Sequence, residues 1–172
     1  MNTPPLEPLL EIHRRLAGAG IEHALGGSAL LHAHGLEDHV GDWDLNTDAD
    51  HDVLEPLFRD LHPVKFGSSG IHADSKLQIY GTTIELIVRM AILAEGRVVR
   101  IPTLPRGAWQ GIPVGSCEAW AVSYALLGRV EKSQRLFRAL EQGGANAGDV
   151  ARMLEEPLPA VLAAQLRALP VR

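Results

Sequence analysis

Apolar and polar positions follow two different periods along the chain, and the change of period divides the sequence. Short alternating runs predict strands over 21–25, 42–47, 64–66, 76–80, 82–88 and 97–101. Apolar residues three or four positions apart predict helices over 5–18, 27–34 and 51–61. From residue 117 onward only the helical spacing recurs, which predicts helices over 117–128, 130–142, 149–155 and 159–168.

Proline and glycine mark the place where the period changes. Residues 102–115 hold three prolines and three glycines, which predicts a loop with a short strand at 112–114. We therefore expect a core over residues 1–101, a Pro/Gly-rich connection over 102–115 and a helical region over 116–172. The expected fold class is α/β (α+β), a mixed β-sheet flanked by helices with a C-terminal helical part.

Composition narrows the class of protein. The chain has 172 residues, of which 46% are apolar, enough for a buried core. A net charge of −5 argues against a long surface that tracks nucleic acid but permits a small basic pocket. The single cysteine, Cys117, excludes an internal disulfide framework and fits a reducing compartment. We find no signal-peptide pattern and no membrane-spanning apolar run, so we expect a cytoplasmic protein without a membrane partner.

Three acidic residues fall on predicted strands. Asp42 and Asp44 alternate with Trp43 and Leu45, so both carboxylates point to one face of a strand and the apolar side chains to the other. Glu85 is the only charged residue in the predicted strand over 82–88. Adjacent carboxylates repel each other unless a cation, usually a metal ion, lies between them. Taken singly, each acid is equally consistent with a solvated surface position.

A glycine pair joins the first predicted strand to the next helix. Gly26 and Gly27 are followed by Ser28 at the predicted helix start. Glycine lets the backbone pass close to a ligand, and a helix N-terminus offers free N–H groups to a phosphate. Such a pair is also common in tight turns that bind nothing.

The order of these pieces resembles the nucleotidyltransferase superfamily related to DNA polymerase beta. The family pattern is an apolar residue before Gly-Gly or Gly-Ser, then two aspartates around an apolar residue, then an acid between apolar residues. It reads here as Leu25-Gly26-Gly27-Ser28, Asp42-Trp43-Asp44-Leu45 and Ile84-Glu85-Leu86. The resemblance covers about residues 6–90, and it implies a nucleotidyltransferase-like sheet with its core in 1–101.

The resemblance also implies a reaction. A metal-dependent enzyme of this family moves a nucleoside monophosphate from a nucleoside triphosphate to an acceptor hydroxyl and releases pyrophosphate. Asp42, Asp44 and Glu85 would then be catalytic and would bind the metal. Mg²⁺ is the expected ion, with Mn²⁺ as a substitute, because both prefer oxygen ligands.

Five further residues are implied to bind the nucleotide. Gly26, Gly27 and Ser28 would cradle the triphosphate. A later helical segment is similar to the one that closes over the nucleotide, which makes Arg129 and Lys132 candidates for the phosphates. The acceptor is not identified by these residues.

Departures from the family pattern leave alternatives open. Asp38 and Val40 stand where members often carry a basic residue and a serine or threonine, and Ser133 replaces an aspartate. One alternative is an inactive relative that binds only a nucleotide or a protein partner. Another is the toxin of a toxin–antitoxin pair, with tRNA or a protein as the acceptor. A homodimer or an antitoxin-like partner is compatible with either reading.

A small-molecule acceptor is the competing hypothesis. Aminoglycoside- or lincosamide-like antibiotics carry hydroxyls, and an acidic pocket suits those that are cationic. Glu37, Asp38 and Asp74 are candidates for such a pocket.

Overall fold

The computed structural model describes residues 3–67 and 75–172. The strands are β1 (Ala24–Leu25), β2 (Trp43–Thr47), β3 (Val64–Phe66), β4 (Ser75–Ile79), β5 (Ile84–Val88), β6 (Ala91–Ala94), β7 (Arg97–Arg100), β8 (Pro105–Trp109) and β9 (Ile112–Gly115). The helices are α1 (Leu6–Gly18), α2 (Gly27–Ala33), α3 (His51–Phe58), α4 (Cys117–Leu126), α5 (Val130–Gly143), α6 (Ala147–Leu154) and α7 (Ala160–Ala168). No helix within the described ranges is long and apolar enough to cross a membrane.

The main sheet is mixed. Its strand order is β3-β4-β5-β2-β1-β9-β8, while β6 and β7 form a separate hairpin. β2 pairs with β5 in parallel, and β1 pairs with β9 in parallel. The other pairs in the main sheet are antiparallel. The predicted fold class, a mixed sheet with flanking helices and a helical C-terminal part, is confirmed.

The apolar face of β2 fixes which way its acidic face points. Trp43 and Leu45 are buried in the core, and the Trp43 Nε1 donates a hydrogen bond to the Pro5 carbonyl at 3.0 Å. A shift of one residue in the strand would carry these side chains to the opposite face and expose them. Burial of this pair therefore holds the acids between them on the other face.

The C-terminal helices pack against the sheet through α4. Ser116 caps α4, since its Oγ accepts the Ala119 N–H at 3.2 Å. The helix is buried on all sides from Glu118 to Tyr124. Where α5 packs against it, the Ser133 Oγ donates to the Ala121 carbonyl at 2.8 Å.

The short strand predicted at 112–114 is confirmed as β9, but the loop predicted for the rest of 102–115 is wrong, because it contains β8, which forms a hairpin with β9. Gln110 and Gly111 both have positive φ, 52° and 82°, as a two-residue hairpin turn requires. β9 then pairs with β1, so the segment adds two strands to the main sheet. The strand β6 was not predicted either. The division of the chain into domains stays a prediction.

Candidate active site

Three carboxylates converge where β2 and β5 lie side by side. Asp44 is directly opposite Glu85 in the parallel register, and Asp42 lies two residues before Asp44. One oxygen from each of the three side chains lies within 4.8 Å of the others. The structure thus brings together acids that are far apart in the sequence.

Positive charge compensates the carboxylate cluster only in part. Burial, reinforced by the charges of Asp42 and Glu85, raises the pKa of Asp44 to about 7. Burial and the Glu85 charge also raise the pKa of Asp42 above its usual value. Lys76 and Lys132 act in the opposite direction, yet the pKa of each aspartate stays raised. A bound cation would stabilise all three ionised groups.

The donor set fits a hard divalent cation. Three carboxylate oxygens are the ligands that Mg²⁺ and Mn²⁺ prefer, whereas zinc favours sites with nitrogen or sulfur ligands. In the part of the chain that the structure describes, this is the one group of three or more such ligands close enough to hold a metal ion.

The neighbouring strand β4 orients Glu85. The Lys76 Nζ lies 2.8 Å from the Glu85 Oε2, and the Gln78 Nε2 donates to the Oε1 at 2.8 Å. Lys76 and Gln78 alternate with the buried residues Leu77 and Ile79, so both polar side chains share one face. Neither residue was predicted from the sequence, although β4 shows the same alternation that indicates Asp42 and Asp44.

The glycine pair leaves the space that the side chains of Asp44 and Trp120 occupy. Gly27 has a φ of +53°, and a Cβ added there would overlap the Asp44 carboxylate. A Cβ at Gly26 would overlap the Trp120 ring, and the Gly26 N–H donates to the Asp44 carbonyl at 2.9 Å. Both glycines therefore have a packing reason that sequence analysis did not identify.

The acids line a cleft of about 250 Å³. All of the predicted site residues except Gly26 line it: Gly27, Ser28, Asp42, Asp44, Glu85, Arg129 and Lys132. The remaining lining residues were not predicted: Lys76, Ile87, Met90, Trp120, Tyr124 and Leu127. Roles in binding or catalysis stay predictions for the site residues that were named from the sequence.

Two helices supply the wall that completes the cleft with the acids. The rings of Trp120 and Tyr124 on α4 have centroids 5.4 Å apart. The Lys132 Nζ, from α5, lies 5.7 Å from the Tyr124 ring centroid, and Arg129 is exposed at the start of α5. This wall combines aromatic surface with two cationic side chains, a composition that suits an anionic ligand.

The acidic pocket predicted for a cationic acceptor is not part of this cleft. Glu37 forms an ion pair with Arg135 at 3.1 Å, and Asp38 is exposed. Neither residue lines the cleft. Asp74, the third candidate, lies outside the described residues.

No model of a known protein family and no curated protein sequence matches the chain. Several solved protein structures do match the chain. A Thermotoga maritima protein assigned as a nucleotidyltransferase matches with a TM-score of 0.58 and 27% identity, over 80% of this chain and 92% of that protein. The solution structure of the antibiotic-resistance factor ANT(2'')-Ia matches with a TM-score of 0.55 and 18% identity, over 94% of this chain and 91% of the factor.

A crystal structure of ANT(2'')-Ia in complex with adenylyl-2''-tobramycin matches with a TM-score of 0.59 and 16% identity, over 95% of this chain and 97% of that protein. Because the sequence identities to ANT(2'')-Ia are only 18% and 16%, these two matches show a shared fold alone. Gly27, Asp42, Asp44 and Glu85 follow the order of the family pattern along the chain and line one cleft. The match to the Thermotoga maritima protein, at 27% identity over 92% of that protein, and the order of these residues together support assignment of the chain to the nucleotidyltransferase superfamily, a superfamily of transferases.

Proposed function

We propose that the protein transfers a nucleoside monophosphate from a nucleoside triphosphate to an acceptor hydroxyl and releases pyrophosphate. One observation carries this proposal: three convergent carboxylates and a wall with Lys132 and Arg129 line the same cleft. Cation ligands and phosphate-binding groups are the two components that this chemistry needs in one place. The fold shared with nucleotidyltransferases supports the same reaction.

Asp42, Asp44 and Glu85 would hold Mg²⁺, which Mn²⁺ could replace. When bound, the ion neutralises the phosphate charge and helps to orient the triphosphate. The raised pKa of Asp44, caused first by its burial, supports this role because an ionised Asp44 gains most from a cation.

The transfer needs positioning more than covalent chemistry from the protein. The acceptor oxygen attacks the α-phosphorus, and the bond from that phosphorus to the pyrophosphate oxygen breaks. Glu85 accepts the hydroxyl proton, while Lys76 and Gln78 hold its carboxylate in place. Lys132 and Arg129 offset the negative charge of the departing pyrophosphate.

The acceptor class to test first is a small hydroxylated molecule. ANT(2'')-Ia was crystallised with an adenylylated aminoglycoside, and this chain matches that fold over nearly its whole length. Transfer to tRNA or to a protein, as in a toxin–antitoxin pair, is the competing outcome. The homodimer, the antitoxin-like partner and the cytoplasmic location stay predictions.

A transfer assay tests the proposed function. The protein is incubated with Mg²⁺, each of the four nucleoside triphosphates labelled at the α-phosphate, and tobramycin, lincomycin, tRNA or a protein extract. We expect label to appear on one acceptor class together with an equal amount of pyrophosphate. Release of orthophosphate in place of pyrophosphate, or the absence of transfer to every acceptor, would contradict the proposal.

A further inference from the structure

The hydroxyl of Tyr124 is buried without a hydrogen-bond partner. The residue is 5% exposed, and no group among residues 3–67 and 75–172 bonds to its Oη. An unpaired buried hydroxyl costs free energy, and native proteins contain few of them. Such a group calls for a reason, and a ligand that is bound during function is one.

The charges of Asp44 and Arg129, two residues of the cleft, act on the Tyr124 hydroxyl. The ring of Tyr124 packs against Trp120 at a centroid distance of 5.4 Å, and the Lys132 Nζ lies 5.7 Å from the same ring. Tyr124 lines the cleft together with Asp44, Lys132 and Arg129. The ring is therefore fixed by packing, while its polar end is left without a protein partner.

The chemistry of the hydroxyl selects the kind of ligand. Burial, with the nearby Asp44 charge, raises the pKa of Tyr124, so the group stays protonated and can donate a hydrogen bond. Lys132 and Arg129 line the same cleft and favour an anion there. A donor beside two cations matches the oxygen of a phosphate.

We propose that the Tyr124 hydroxyl donates a hydrogen bond to a phosphate oxygen of the bound nucleoside triphosphate, beside Lys132 and Arg129. The inference rests on the proposed function and adds a binding residue to it. It assigns to Tyr124 a bond that forms only when the nucleotide enters.

The same helix provides a matched control. Ser123 is fully buried, and its Oγ also has no partner in the described part of the chain. Unlike Tyr124, it does not line the cleft. Tyr124→Phe and Ser123→Ala each remove one buried, unpaired oxygen and leave the rest of the packing in place.

Calorimetric titration and thermal unfolding of the wild type and both variants test the inference. Without ligand, we expect both variants to keep or raise the melting temperature, because each loses a buried unpaired hydroxyl. With Mg²⁺ and the preferred nucleoside triphosphate, Tyr124→Phe should raise Kd about tenfold, as expected for a lost hydrogen bond to a charged group. Ser123→Ala should leave Kd unchanged.

A 2′,3′-dideoxynucleoside triphosphate separates phosphate from ribose. We expect Tyr124→Phe to raise Kd by the same factor for this analogue, which has no ribose hydroxyl. A loss confined to the normal nucleotide would overturn the phosphate contact in favour of a ribose contact.

Other outcomes would also overturn the inference, in distinguishable ways. Equal affinity of the wild type and Tyr124→Phe would refute the contact and leave the proposed function intact. A lower melting temperature of unliganded Tyr124→Phe would show that the hydroxyl has a structural partner. Failure of the wild type to bind any nucleotide would remove the proposed function itself, and the inference with it.

Discussion

The two walls of the cleft are built in different ways. The acidic wall consists of Asp42, Asp44 and Glu85, which the pairing of β2 with β5 holds in place. The Glu85 carboxylate is fixed further by Lys76 at 2.8 Å. The helical wall carries long side chains, with Arg129 exposed and Lys132 half-buried. The acidic wall is rigid and electrostatically unfavourable without a cation, whereas the helical wall can adjust to a ligand. Variants of the first should change rate and stability in opposite directions, and variants of the second should change mainly affinity.

The largest effect is expected for Asp44→Asn. The transfer rate should fall by about 10²–10³-fold, as for the loss of one preorganised electrostatic group. The melting temperature of the metal-free variant should rise, because the change removes a partly buried charge that Asp42 and Glu85 repel. Transfer assays measure the rate, and scanning calorimetry in the presence of a chelator measures the melting temperature. Asp52→Asn, an exposed residue outside the cleft, should change neither, and a loss of both activity and stability in Asp44→Asn would contradict the contrast between the walls.

The next effect concerns Gly27, which leaves room for the Asp44 carboxylate of the acidic wall. Gly27→Ala should abolish metal-dependent nucleotide binding, because the added methyl group overlaps the Asp44 carboxylate. Gly35→Ala is the matched control, since Gly35 also has a positive φ, +69°, but has open space around it. We expect Gly35→Ala to cost about 1 kcal/mol of stability and to bind nucleotide normally. Equal binding by both variants, measured by calorimetry, would show that Asp44 does not need the space at Gly27.

A smaller effect is expected on the helical wall. Lys132→Met should raise the Kd of the Mg²⁺–nucleotide complex about tenfold through loss of a charge-assisted contact. The stability of the free protein should change little. Arg138→Met, on the exposed surface of the same helix and outside the cleft, should bind as the wild type does. If both variants weaken binding equally, the helix contributes only a general positive electrostatic potential, and Lys132 makes no specific phosphate contact.

The last effect is a pH dependence of stability. The pKa of Asp44, raised to about 7 mainly by burial, lies above the value of about 3.9 in an unfolded chain. The native state then holds the extra proton between these values, so its stability falls as the pH rises from about 4 to about 7. Burial lowers the pKa of His23, which acts oppositely at acidic pH, but the difference between wild type and Asp44→Asn cancels that contribution.

Denaturant unfolding in a chelator at pH 5 and pH 8 measures this difference. We expect the wild type to lose on the order of 2 kcal/mol relative to Asp44→Asn between the two pH values. Mg²⁺ at saturating concentration should reverse the loss. If the stability of the two proteins depends on pH in the same way, the pKa of Asp44 is not raised in the native state.

The acidic wall was largely predictable, and the reason is local. Alternation around Trp43 places Asp42 and Asp44 on one face, and a single acid in an apolar strand marks Glu85. The pairing of Asp44 with Glu85 was not readable from periodicity, because a parallel partner is set by the path of the intervening chain. The family resemblance supplied that link.

The helical wall was less predictable. Helix α4 is buried on every side, so no periodic stripe distinguishes the positions of Trp120 and Tyr124 that reach the cleft. Lys76 was missed because its role depends on the antiparallel neighbour of β5. The hairpin over β8 and β9 has the proline and glycine content of a loop, and only its pairing with β1 shows that it is part of the sheet.

Calorimetric titration of ATP, GTP, CTP and UTP, with and without Mg²⁺, tests the central claim most directly. The wild type is compared with Asp42→Asn/Asp44→Asn after both are shown to be folded. We predict Mg²⁺-dependent binding of at least one nucleotide by the wild type and loss of that binding in the double variant. If the folded wild type binds no nucleotide, or if the double variant binds with the same Mg²⁺ dependence, the carboxylates do not form the metal site of a nucleotidyltransferase.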